Sequence, residues 1–205
     1  LKNVVDFLKS TAVFGPFEHK LHNRIAWSDD KIVYDLVNKE WTHVEITESS
    51  WEIPVHKGDI LFKRYGHNKP QVTPLNGDEL DVKKILNYVN ITDEDQKILF
   101  LVWVVSCFIA DIPHPLAYVY GPQGSAKSTI SRVAKELIDP SFLGISTLHN
   151  NHANMIQQLD HNVLSFFDNV SYIDQSLSDL LCKAVTGIGF AKRELYTNDD
   201  DVIYN

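Results

Sequence analysis

The sequence predicts an α/β fold, a parallel sheet flanked by helices, preceded by a small β-rich region and a helical linker. Three observations carry this. Beyond residue 113, apolar strand-like runs alternate with helix-like stretches, the pattern of parallel βαβ units. In "LAYVYGPQGSAKSTI", Leu116 to Ile130, a glycine-rich turn joins a strand-like run to a helix-like one. Between Arg24 and Phe62 the runs are instead short, aromatic and β-branched, separated by polar turns. The expected division is a β-rich region over 1–75, a helical linker or lid over 76–112, and a core over 113–205.

Asn3 to Lys9 reads as a short helix with Val4, Val5, Phe7 and Leu8 on its apolar side. "RIAWS", "KIVYDL", "WTHVEIT" and "WEIPV" read as the strands of a meander. "NKPQVTPLNGDELD", with two prolines and a glycine, reads as a linker. A helix is expected over Glu79–Val89, and a second over Asp93–Ala110, capped by Thr92 with Asp95 three residues on. "DIPHP" breaks it. Leu116–Tyr120 is then a strand and Lys127–Ile138 a helix ended by Asp139-Pro140. "FLGIST" is a short strand, Asn151–Leu159 a helix, "NVLSFFD" a buried strand and Leu177–Val185 a helix, and Val202–Tyr204 begins another strand. No internal repeat is visible.

The hydrophobic fraction of 44% and charged fraction of 22% are those of a globular protein with a self-sufficient core. A net charge of −8 argues against non-specific coating of nucleic acid, which needs clustered Lys and Arg, but leaves room for a local basic loop. The longest apolar run, "ILFLVWVVSCFIA" from Ile98 to Ala110, is too short to span a bilayer, which takes about 20 residues, and reads as a buried helix. Cys107 and Cys182, each in an apolar setting, suggest a reducing compartment and hence the cytoplasm. Because "DDDVIYN" stops within a strand-like pattern and residue 1 is Leu, the chain is expected to be a piece of something longer.

"GPQGSAKST", Gly121 to Thr129, nearly spells the phosphate-binding loop G-x-x-x-x-G-K-[ST], with Ala126 in place of the second glycine. Glycines let consecutive N–H groups turn inward as an anion nest, and the helix from Lys127 points its positive end at the same place. The expected nucleotide contacts are Gly121, Pro122, Gln123, Gly124, Ser125, Ala126, Lys127, Ser128 and Thr129. Lys127 reaches the β- and γ-phosphates of ATP, and the Ser128 hydroxyl binds Mg²⁺. Ala126 serves if its φ is negative, or if the neighbouring helix packs a little farther away.

Mg²⁺ also needs a carboxylate on a neighbouring strand. Asp168, at the end of "NVLSFFD", supplies one at the expected C-terminal edge of the sheet. Asn169 follows where many ATPases carry Glu; its amide orients water but cannot take a proton. Asp174, Asp179 and Glu194 are the other carboxylates in reach of the argument.

With "GPQGSAKST" and "FFDN", the later stretch "LSDLLCKAVTGIGFAKRELYTNDDDVIYN" resembles the helicase module of phage- and plasmid-type primase-helicases, superfamily 3 of the AAA+ P-loop ATPases. The shared features are Thr186-Gly187 after the acidic strand and Arg193 before Leu195-Tyr196, and the likeness covers roughly residues 99–205. It implies an ATP-hydrolysing DNA motor, usually a hexameric ring, acting on single-stranded or forked DNA. It also implies a channel-facing hairpin carrying Lys192 and Arg193, and a polar sensor and an arginine finger farther downstream. Asn169 in place of Glu departs from the family and bears on hydrolysis.

Three readings follow: a DNA-dependent motor, a slowly turning ATPase switch or scaffold, and a structural P-loop domain without ligand. A nucleoside kinase is disfavoured by the lack of an arginine-rich lid. His149 and His152 have a tempting spacing, but zinc would need two further ligands. Trp27, Trp41 and Trp51 read as core packing of a small sheet rather than as a surface for stacking bases.

Overall fold

The computed structural model describes residues 2–15, 19–28, 30–55, 58–75, 81–110, 112–149, 151–187, 190–193 and 201–204, with the backbone alone at 13, 190–193 and 201–204. It is a mixed α/β structure. Helix α1, Lys2–Val13, opens the chain and exposes Val4, Phe7 and Leu8. Strands β1 (Leu21–Asn23) and β6 (Leu61–Lys63) pair in parallel. Between them β2 (Ile25–Ser28), β3 (Lys31–Asp35), β4 (His43–Ile46) and β5 (Trp51–Glu52) form an antiparallel sheet in sequence order. All four strands fall on the runs whose β-branched and aromatic residues suit a pleated, half-buried surface.

A 3-10 helix, Val82–Tyr88, stands where the longer helix over Glu79–Val89 was expected, capped by the Asp81 carboxylate on the Lys83 N–H. Helix α2, Glu94–Ser106, is capped by Asp93, not Thr92: the Asp93 carboxylate accepts from the Gln96 N–H at 2.9 Å. Asp and Thr both cap, and the register was decided by which side chain reaches the N3 donor. The helix stops at Ser106, short of Ala110.

The expectation that residues 98–110 are buried holds for one face only. Val104 is buried, while Ile98, Leu99 and Val102 are about 60% exposed. A helix that is apolar all round signals burial on every side, but here its neighbours cover one side. Phe100, Leu101, Trp103 and Val104 face the core. Cys107 is half-buried there, and burial pushes its thiol up to about 11; Cys182 is exposed, against expectation.

Helix α3, Lys127–Ile138, forms over the expected residues and buries Ile130, Ala134 and Ile138, spaced i, i+4, i+8 along one stripe. Ala134 and Ile138 of that stripe join Ile25, Tyr34 and Val44 of the antiparallel sheet, with Leu36, Ile85 and Val104, in the main core. A second core joins Met155 of α4 (His152–Asp160) to Leu177, Leu180 and Leu181 of α5 (Gln175–Val185), against Leu148 and Phe167.

The expected parallel sheet is reduced to one pair next to α3. β7 (Ser146–Thr147) and β8 (Phe167–Asp168) run parallel, Ser146 opposite Phe167 and Thr147 opposite Asp168. Leu116–Tyr120 is not a strand: among the described residues nothing pairs with it, and Leu116, Tyr118 and Tyr120 are 64%, 80% and 81% exposed. A short apolar run marks a segment fit to be a strand, but only a neighbouring edge makes it one. β9 (Phe190–Arg193) and β10 (Asp201–Tyr204) form an antiparallel hairpin, so the strand expected at Val202–Tyr204 is present and pairs locally. No helix among the described residues is long and apolar enough to cross a membrane.

Trp51 packs against the main core, as expected of all three tryptophans. Trp27 and Trp41 depart from that, at 45% and 51% exposed. The Arg64 guanidinium lies 3.8 Å over the Trp41 ring and pairs with Asp35 on its other side.

Candidate functional site

The turn from Gly121 to Ala126 bends back over the start of α3. The Lys127 ammonium donates to the carbonyls of Gly121 at 2.9 Å and Pro122 at 2.7 Å, closing the loop on itself. The Ser125 N–H donates to Pro122 O at 3.3 Å. Gly121 (φ +152°) is in a backbone conformation that strains a side chain, and a Cβ there would sit 2.9 Å from Ser125 Oγ, a buried hydroxyl without a partner among the described residues, which would have to shift. Gly124, at φ +81°, is in the region that favours glycine. Gln123 is exposed at the tip of the turn.

Ala126 has φ +65° and ψ +23°, left-handed, so the negative φ expected for it is not the one adopted. Its carbonyl accepts from Thr129 N at 3.0 Å and Ile130 N at 3.2 Å, the first bonds of the helix. A left-handed L-residue costs roughly 1–2 kcal/mol, and glycine's extra freedom in the unfolded chain offsets about 0.5–1 kcal/mol of any relief. Ala126→Gly is therefore expected to stabilise the protein by about 0.5–1 kcal/mol. A urea midpoint that falls instead would refute the strain.

Helices α2, α4 and α5 each start on a capping side chain, Asp93, Asn151 and Asp174. The N-cap of α3 makes no side-chain hydrogen bond, which leaves the positive end of this helix for another acceptor.

The second half of the site comes from β8. Ser128, in the first turn of α3, donates its hydroxyl to Asp168 Oδ2 at 2.8 Å, across 40 residues of sequence. The other carboxylate oxygen accepts from the Asn169 N–H at 2.8 Å. These bonds, the Ser128 one foremost, hold the Asp168 carboxyl below the usual range, and the charges of Lys127 and Arg132 act in the same direction. Asp168 is thus an ionised acceptor beside a hydroxyl and two cations. Arg132 escaped the sequence reading; it lies four residues after Ser128, on the same face of α3. Two hard oxygen donors, Ser128 Oγ and Asp168 Oδ2, suit Mg²⁺.

Asn169 has φ +56°, a conformation that Asn tolerates better than most residues. Of the carboxylates considered beside it, Asp174 caps α5 through the Leu177 N–H at 2.8 Å, and Asp179 accepts from Gln175 at 2.9 Å. Glu194 lies outside the described residues. Lys192 and Arg193 occupy β9 opposite Val202 and Asp201. His152 shares a hydrogen bond with Ser176 Oγ at 3.0 Å. Among the described residues, no three His, Cys, Asp or Glu are grouped to hold a metal.

No curated protein and no solved structure matches the chain. A family model described as actinomycete integrative conjugative element replication protein matches residues 82–205, from the 3-10 helix through the Gly121–Ala126 turn, Asp168 and the β9–β10 hairpin. The match spans more than half of the 205 residues. The chain therefore belongs to the actinomycete integrative conjugative element replication protein family and is a replication-related protein.

Proposed function

We propose that this chain is the ATP-binding and ATP-hydrolysing part of a DNA helicase-like replication protein of the primase-helicase type, a P-loop ATPase of superfamily 3. The observation that carries the reading is the 2.8 Å hydrogen bond between Ser128 and Asp168. A loop whose sequence suits phosphates and a strand whose sequence suits a metal ligand meet at one point, beside Lys127. Mg²⁺ bound by these two oxygens would neutralise charge on the β- and γ-phosphates. Lys127 would exchange its loop carbonyls for phosphate oxygens, and the uncapped start of α3 would face the same anion. Membership of a replication protein family supports DNA, single-stranded or forked, as the partner. Lys192 and Arg193 are its candidate contacts, in a homo-oligomeric ring within the cytoplasm.

A second reading, a slow ATPase switch or scaffold without helicase activity, is favoured by Asn169. Asn169 cannot accept the proton of an attacking water, and Asp174 and Asp179 already accept hydrogen bonds within α5 and at its cap. Turnover with and without single-stranded DNA separates the two. A motor is expected to be stimulated several-fold, and Ala at both Lys192 and Arg193 should remove the stimulation. Slow turnover indifferent to DNA selects the switch. Asp168→Ala should cost Mg²⁺-dependent hydrolysis more than nucleotide binding; equal loss of both would make Asp168 a structural residue.

A further inference from the structure

A pocket of about 300 Å³ lies at the far end of α3 from the phosphate loop. Lys135, near its base, is eight residues from Lys127, or roughly 12 Å along the helix at 1.5 Å per residue. One wall is a face of α4, where Asn154, Gln157 and Gln158 recur at i, i+3 and i+4. Among the described residues, none of these three side-chain amides makes a hydrogen bond. Another wall is aromatic: His161 and His67 line it with ring centroids 6.4 Å apart, and both stack on Tyr65, at 3.9 Å and 5.7 Å. The Ser165 hydroxyl, on the lining, is buried with no partner among the described residues.

The chemistry of the lining selects its ligand. Lys135 is the cation on the wall, but its ammonium already serves Asp139 at 2.7 Å, Asn162 at 3.1 Å and the Leu164 carbonyl at 2.6 Å. All three of its donors are used, so it offers little to a phosphate. Burial lowers the His161 pKa, which favours the neutral ring with one donor and one acceptor. What remains is a set of uncharged groups that both give and take hydrogen bonds, next to flat aromatic faces. That set matches the edge and face of a nucleobase: amides pair with base edges and aromatic rings stack on base planes.

We propose that this pocket takes one unstacked nucleobase of single-stranded nucleic acid, with Asn154, Gln157 and Gln158 on its edge and His161 against its face. It is a second site, separate from the phosphate loop, and it rests on membership of the replication family but not on ATP hydrolysis. Its place at the other end of α3 gives the nucleotide and the strand one rigid element in common.

The test compares a fluorescein-labelled DNA pentanucleotide without terminal phosphate with the same sugar–phosphate chain lacking every base, by anisotropy on the full chain. The base-bearing strand is expected to bind about tenfold tighter, in line with one stacked and hydrogen-bonded base. Gln157→Ala with Gln158→Ala should abolish that preference, and Asn154→Ala, at an exposed position, should reduce it several-fold. Lys127→Ala should leave it intact. Equal affinity for the two chains overturns the proposal, as does a preference that survives the Gln157 and Gln158 changes. Loss of the preference on Lys127→Ala would place the base at the phosphate loop and overturn the second site. Binding of a fluorescent ATP analogue, read in parallel, tests the phosphate loop by itself.

Discussion

Asp139→Ala is expected to destabilise the protein by about 3–5 kcal/mol, because it leaves buried cations without their partner. Arg24 and Asp139 are 3% and 1% exposed, with the guanidinium Nε 2.9 Å from Asp139 Oδ1. Lys135, also 3% exposed, sits 2.7 Å from the other carboxylate oxygen. The Arg24 fork also donates to the carbonyls of Lys69 at 2.9 Å and Pro140 at 3.0 Å. One carboxylate at the end of α3 thus holds the residue just before β2, and with it the antiparallel sheet, against the helix that follows the Gly121–Ala126 turn. Urea denaturation measures the loss, and a change below about 1 kcal/mol would show that water reaches the network.

The deficit should depend on pH with a definite sign. Burial lowers the Lys135 pKa, so the folded protein sheds this proton more readily than the unfolded chain. The unfolded state then binds more protons, and stability rises with pH as Lys135 is neutralised, up to the ordinary lysine value. In Asp139→Ala the carboxylate that supports the charge is gone. The Lys135 part of the deficit should shrink as the pH climbs into the alkaline range, while the Arg24 part stays.

Lys127→Ala is expected to weaken ATP binding by about a hundredfold, the upper end of what a hydrogen bond to a charged group contributes. The folded protein should hardly notice. The ammonium donates to two loop carbonyls in an exposed setting, and water replaces it there at a cost below about 1 kcal/mol. Calorimetric titration with ATP and Mg²⁺ reads the first effect and thermal melting the second. Unchanged affinity would remove the phosphate loop from the proposed function. A matching collapse of stability would instead make Lys127 a structural clasp of the turn.

Much of the candidate site was legible because its parts are local. A helix from Lys127 to Ile138 follows from the stripe Ile130, Ala134 and Ile138 and the stop at Asp139-Pro140. The need for glycine at Gly121 and Gly124 is a backbone property, and each stands at positive φ. The antiparallel sheet was legible for the same reason: its strands are consecutive and joined by short turns, so alternation alone places them. Asp168 stands out in the sequence as the carboxylate ending an apolar run, and its side chain accepts from the Ser128 hydroxyl.

Other features depended on which segments meet. Leu116–Tyr120 is an apolar run of strand length yet pairs with nothing among the described residues, since pairing belongs to two segments and not to one. The outer face of α2 is apolar yet exposed, because a helix's composition does not say how many neighbours it has. The φ of Ala126 is positive where the N-caps of α2, α4 and α5 are extended, a difference set by the path of the chain into α3 and not by the residue type. The Arg24–Asp139–Lys135 network spans residues too far apart for any local pattern to link. The sequence by itself determined the helix from Lys127, the glycine turn before it and the carboxylate of Asp168, since each is specified by a few adjacent residues. Only the tertiary structure decided that the N-terminal sheet is locked to that helix and that an amide-lined pocket opens at its far end, because burial and long-range pairing are properties of the assembled chain.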